Sequence, residues 1–226
     1  MINGVVFIFK SVVLFTNKLK LLKRFYMNVM ELEIIYSTDE EFTIHIGTSK
    51  LTFRKSEQNA FYHFAINIPG NQFSLMKAWM KNKVTLNREG GRDEVYFSSF
   101  NADSIYFEDP AGNIIELIGR RHRDLFGHPS AASFLNISEV GIVTSAMIET
   151  GDKIQDLAKI PLRQGTEINP NSLNFLGKDE TFIVLVPPER RWYFSQKYSK
   201  IYPLEITLTN EITLIVDETG HLTIKH

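Results

Sequence analysis

What most constrains this chain is a repeat. A strand-like run, a helical run and three short strand-like runs follow one another in a unit of about 55 to 60 residues. The order restarts near residue 60 and again near residue 137. In the first round "VVFIFKSVVLFT" reads as strand. "NKLKLLKRFYMNVMEL" reads as helix, with Leu19, Leu22, Tyr26 and Val29 at helical spacing and Asn17 placed as N-cap. "LEIIYS", "EFTIHIG" and "KLTFRKS" complete the unit. In the second round "AFYHFAINI" is strand, Pro69-Gly70 a break, and "QFSLMKAWMKNK" a helix with Phe73, Met76 and Met80 on one face. "VTLNRE", "EVYFSSF", "SIYFED" and "NIIELIG" read as further strands. The third round runs through "SEVGIVTS", "AMIETGDKIQDLAKI", "LNFLG" and "TFIVLVP". The tail from "PLEITLTN" is strand with no helix before it, and "DETG" is its hairpin turn.

A single unit cannot cover the apolar face of its own sheet, so units must pair. The expected class is α+β, built of repeated βαβββ modules. "RRHRDLFGHPSAAS" is polar and broken by Pro and Gly, which places the boundary there: residues 1–121 as one domain, 122–135 as linker and 136–226 as a second, divergent half.

Charge and composition narrow the function. A formal net charge of −1 with no Lys/Arg run excludes a phosphate-tracking, nucleic-acid surface. With no cysteine, any metal must take His and carboxylate ligands. A cytoplasmic location is the default expectation. "GVVFIFKSVVLFTNK" is apolar enough to suggest a signal peptide. Lys10 interrupts it, however, no positive region precedes it, and it is too short to span a bilayer. It is expected to be a buried strand, with no membrane partner.

One short stretch raises the functional question. "YFEDPAGNIIELIGR", residues 106–120, is strand, turn and strand, with Glu116 inside the apolar run of the second strand. Burying an unpaired carboxylate costs several kcal/mol or forces its pKa upward. Either Glu116 faces water or something positive sits opposite it. The turn has the right chemistry for a tight connection: Pro110 fixes φ and Gly112 permits φ above zero.

"YFEDPAGNIIEL", "FYHFAINIP" and "NKLKLLKRFYMNVMELEI" together resemble the vicinal oxygen chelate superfamily, which includes glyoxalases, bleomycin-resistance proteins and extradiol dioxygenases. The resemblance covers residues 5–121 and extends more weakly into the third round. It implies paired modules whose curved mixed sheets enclose a cleft, with a divalent metal (Mn, Fe, Ni or Zn) held on the strands. His63 would come from the second module's first strand and Glu116 from its last. First-module ligands are missing, since Ser11 stands where a His is expected and "KLTFRKS" offers Thr52 and Phe53 but no carboxylate. His45 lies on a middle strand and is a poor substitute. Glu139, at the third-round position matching His63, would complete the set if the third module packs against the second, or through a partner subunit.

"ADSIYFEDPAGNIIE" is also similar to the corresponding stretch of fosfomycin-modifying thiol transferases. By that likeness Ser104 and Tyr106, on one face of their strand, are substrate-binding candidates; a core tyrosine is the plainer reading of Tyr106. The functional expectation is a divalent-metal-dependent enzyme on a small-molecule substrate, of lyase, isomerase, dioxygenase or thiol-transferase type. The alternative is a metal-free protein that sequesters a small, antibiotic-like ligand. Members of that family often complete their cleft by dimerising, so the resemblance admits a homodimer, while the sequence leaves the oligomeric state open. "PPERRWYFSQKY" clusters Arg190, Arg191 and Trp192, either an anion-binding surface or a solvated turn around a packed Trp.

Overall fold

The computed structural model describes residues 9–165 and 167–226; the reading of residues 4–8 as the beginning of the first strand lies outside them. Four modules follow along the chain. The first is β1 (Phe9–Thr16), α1 (Leu19–Asn28), β2 (Ile34–Ser37), β3 (Glu41–Ile46) and β4 (Ser49–Lys55). The second is β5 (His63–Pro69), α2 (Phe73–Lys81), β6 (Val95–Phe97), β7 (Ala102–Glu108) and β8 (Ile114–Arg120). The third is β9 (Asn136–Val143), α3 (Met147–Leu157), β10 (Asn174–Lys178) and β11 (Thr181–Val186). The fourth has strands alone: β12 (Leu204–Leu208), β13 (Thr213–Val216) and β14 (Leu222–Lys225).

These form two seven-stranded sheets. The first runs β14-β13-β12-β1-β4-β3-β2 and the second β10-β11-β9-β5-β8-β7-β6. Each sheet therefore joins modules from both sides of the 122–135 connection. Module one shares its sheet with module four, and module two with module three. The strand partner of the second module is thus the third module, not the first. Hydrogen bonding decides this: β5 pairs with β8 on one side and β9 on the other, while β1 pairs with β4 and β12. The connection itself is tied down, with Gln72 Nε2 donating to the Leu125 carbonyl and the Gly70 amide to that of Arg123.

The core lies against the face of each sheet that turns to the helices and to the other sheet. Val12, Leu14, Phe42 and Phe53 from the first sheet, with Leu22 and Tyr26 of α1, form one continuous cluster with Phe64, Ile66, Val140 and Ile142 of the second. Helix α2 buries Phe73, Met76 and Met80, as its spacing predicts. Two local expectations fail. Asn17 does not cap α1; Lys18 occupies the N-cap position with no side-chain bond, and Thr16 Oγ1 accepts from the Lys18 amide instead. "VTLNRE" is loop with two isolated bridges, Leu86 to Phe107 and Glu89 to Arg92, and no continuous ladder. The "DETG" turn does form, with Gly220 at φ 83° and Asp217 Oδ1 accepting from the Thr219 and His221 amides.

Candidate metal centre

Glu116 reaches its place through the turn before it. Asp109 is buried, and its carboxylate accepts from the Ala111 and Asn113 amides, from Asn113 Nδ2 and from the Tyr26 hydroxyl. Asn113 Oδ1 in turn accepts from the Tyr62 amide, one residue before His63. The turn thereby locks β8 against the beginning of β5. Gly112 sits at φ 86°, and Lys197 Nζ donates to its carbonyl at 2.6 Å. A one-residue slip would turn Glu116 to the opposite face of the sheet.

The register then converges three side chains. Ala65 of β5 lies opposite Glu116 on β8 and opposite Glu139 on β9, and His63 is two residues earlier on the same face. Ala65 is small and fully buried, so the two carboxylates lean toward each other over it. One ligand atom from each of His63, Glu116 and Glu139 lies within 4.8 Å of the other two, and all three residues are buried. Sequence reasoning thus named the three residues that the fold brings together. His45 is exposed on β3, in the other sheet.

Electrostatics in this cluster are unbalanced. His63 Nδ1 lies 3.1 Å from the Ile114 carbonyl, which assigns the ring proton to Nδ1 and leaves a lone pair on Nε2. Burial pushes the His63 pKa down to about 4, so the ring is neutral at pH 7. Its Nε2 faces Glu116 Oε2 at 3.7 Å, and two acceptors facing each other do not form an ion pair. Burial raises Glu116, against which the Ser104 and Tyr106 hydroxyls and Arg120 favour the ionised form. Glu139 is raised further, by burial first and then by the Glu116 charge. The nearest cation, Arg120 Nη2, is 3.8 Å from Glu139 Oε1 and donates instead to Ser138 Oγ at 3.1 Å. So the buried Glu116 is answered by one distant arginine, and the cluster wants a proton or a cation at its centre.

The three residues open onto a cavity of about 370 Å³. Its walls are mostly rings, including Phe97, Phe100, Tyr106, Phe175, Trp192 and Tyr193. Tyr106, opposite Glu116 in the ladder, lies in the wall with its ring 5.0 Å from Phe194. Ser104 is fully buried and is not part of the wall, and its Oγ falls short of ordinary hydrogen-bond geometry with any group. Sequence reading places Trp192 in an anion-binding surface or a solvated turn around a packed Trp; the structure buries it as a packed Trp over the cavity. The segment between β11 and β12 carries it across the cavity, 4.9 Å from the His63 ring. It packs so closely on Gly141 that a Cβ there would meet the indole at 2.9 Å. An aromatic triplet, "WYF", among charged residues was the available signal.

Comparison with known proteins agrees with this architecture. The sequence model of the toxoflavin-degrading enzyme family matches residues 137–190. No curated protein matches the sequence. Among solved structures, a candidate dioxygenase from Bacillus subtilis superposes over 96% of this chain and 84% of its own, with a TM-score of 0.61 and 10% identity. Glyoxalase I from Zea mays does so over 96% and 91%, with a TM-score of 0.59 and 14% identity. The fold is that of the vicinal oxygen chelate superfamily. Among the described residues, no helix is long and apolar enough to cross a membrane.

Proposed function

We propose that this chain is a divalent-metal-dependent enzyme acting on a small molecule, with His63, Glu116 and Glu139 as the protein ligands. The observation that carries the reading is the arrangement just described: an unprotonated imidazole nitrogen facing two buried carboxylates at the end of a ring-lined cavity. The donors suit the group. One neutral imidazole and two carboxylates form an oxygen-rich set that favours Mn(II) or Fe(II) over a softer ion. Ligand atoms that all lie within 4.8 Å of one another are grouped closely enough for one ion to bind among them once they draw in around it. The match of residues 137–190 to the toxoflavin-degrading family spans Glu139 and supports a degradative, small-molecule role.

A bound divalent ion supplies Lewis-acid polarisation of substrate oxygens. The chain's own residues do the rest. The Ile114 carbonyl orients His63 through Nδ1, so that Nε2 stays available. Tyr106, whose hydroxyl burial and the neighbouring carboxylates hold protonated, offers a donor beside Glu116. The aromatic walls exclude water and lower the local dielectric, which strengthens each polar contact inside.

The test is elemental analysis of protein purified without an affinity tag or chelator, in parallel with His63→Ala, Glu116→Ala and Glu139→Ala. About one Mn, Fe, Ni or Zn per chain, lost in each variant, is the expected result. No metal in the wild type, even after loading with each ion, overturns the reading in favour of a metal-free binding protein.

A further inference from the structure

Two adjacent arginines meet opposite fates at the cavity. Arg191 is paired: its guanidinium contacts the Glu89 carboxylate and the Ser195 carbonyl, and it points away from the cavity. Arg190 lines the cavity and has no carboxylate partner among the described residues. Its one side-chain hydrogen bond is from Nη1 to the Arg191 carbonyl, at 3.1 Å, which leaves most of its five N–H donors uncommitted. It is half-buried, and its pKa is lowered by desolvation and by the Arg191 charge. A partly desolvated cation without an anion is costly to keep.

The ring lattice around it is fixed at several points. Trp192 packs on His63, Tyr106 stacks on Phe194, and Tyr193 meets both Phe97 and Tyr106. The segment carrying them is pinned by Lys197 to Glu108 at 2.7 Å and by the Phe194 amide to Glu89 at 2.7 Å. The walls are therefore flat, rigid and preformed. Since a cavity of about 150 Å³ holds benzene, 370 Å³ admits one or two fused rings with substituents.

We propose that the ligand is a flat aromatic or heteroaromatic ring bearing an anionic substituent, the ring seated against Trp192 and Tyr106 and the anion held by Arg190. This deepens the proposed metal-dependent function by naming its substrate class, and it rests on that reading. A forked guanidinium pairs with a carboxylate at two points, which gives geometric selection as well as charge.

The test uses two matched probes, catechol and 2,3-dihydroxybenzoate, which share a ring and vicinal hydroxyls and differ by one carboxylate. Binding is followed by quenching of Trp192 in a Trp79→Phe background, in which it is the one remaining tryptophan. Dihydroxybenzoate is expected to bind about ten-fold tighter than catechol. Arg190→Gln should erase that preference while leaving catechol affinity and the circular dichroism spectrum unchanged, and Arg190→Lys should restore part of it. Equal affinities in the unsubstituted protein, a preference that survives Arg190→Gln, or no quenching by either probe would overturn the proposal. Running each titration with Mn(II) and with chelator separates the two readings. A carboxylate preference that persists in chelator supports the Arg190 site even if the metal reading fails. An effect of Mn(II) on both probes without any preference supports the metal and defeats the Arg190 site.

Discussion

In the second sheet Ala65 lies between Glu116 and Glu139; in the first, Val13 lies between Thr52 and Glu205. Aligned on Val13 and Ala65, Ser11 stands where His63 does, and Thr43, paired with Thr52, stands where Tyr106 does; the bulges differ, after Ala65 in the second sheet and after Phe9 in the first. The backbone has built the same cradle twice. In the first sheet the hydroxyls of Thr43 and Thr52 bond each other at 2.8 Å, and Arg54 spans Glu41 at 2.8 Å and Glu205 at 3.1 Å. Thr43, Thr52 and Glu205 have thus found partners on the protein. In the second sheet the partners are withheld, and the carboxylates are left short of compensation. Backbone register alone therefore does not make a site; side chains denied internal partners do.

The sharpest break in this comparison is Ala65→Leu. The added bulk fills the space over which Glu116 and Glu139 converge, with an overpacking cost of about 1–3 kcal/mol. It should also abolish metal-linked stabilisation, which is about 2.7 kcal/mol when the ion is at a hundred times its Kd. Thermal unfolding with and without Mn(II) reads both terms. Val13→Leu, at the matching position, should leave the Mn(II) response intact.

Next in size is the pH dependence of the metal-free protein. Folding raises Glu139 to about 8 and Glu116 to about 6, so the folded state binds more protons than the unfolded one. Their contribution to stability is full below the ordinary carboxylate range and is lost as pH rises through about 8. His63, pushed down to about 4, acts in the opposite sense and only below about pH 6.5. Between about pH 6.5 and 8 the carboxylates thus act alone, and the wild type should lose up to about 2 kcal/mol in chemical denaturation. Glu139→Gln should flatten that slope; an unchanged slope would mean that Glu139 is ionised throughout.

The turns before the corresponding strands differ as well. β4 follows β3 through a short hairpin, whereas β8 depends on the Asp109–Asn113 clamp. Asn113→Ala removes the acceptor of the buried Tyr62 amide and should cost about 1–3 kcal/mol in equilibrium unfolding, together with weaker Mn(II) binding. The smallest effect belongs to the first sheet. Arg54 is partly exposed, so Arg54→Leu should change stability by about 1 kcal/mol or less and leave the metal response untouched.

Much of the second-sheet site is legible in local sequence. "DPAGN" and the isolated carboxylate of "IIEL" announce a turn-locked register, and His63 heads a strand whose seven residues are all buried. Module order in the sheets is not legible, because the choice of β9 rather than β1 as the neighbour of β5 depends on contacts far apart in sequence. "VTLNRE" shows why alternation is insufficient, since the pattern is present but the segment makes only an isolated bridge to β7, at Phe107. Trp192 is legible as a packed Trp, but its place over the cavity is not, because a roof residue belongs to neither periodicity. Its role comes from where the segment between β11 and β12 crosses.

Carrying four modules on one chain has a genetic consequence. In an assembly of identical half-length subunits each codon writes both cradles at once, and a substitution that closes one closes the other. Here Ser11 and His63, or Thr52 and Glu116, are separate letters of one gene. The first cradle can thus be closed by internal pairs, Arg54 with Glu41 and Glu205 among them, without closing the second.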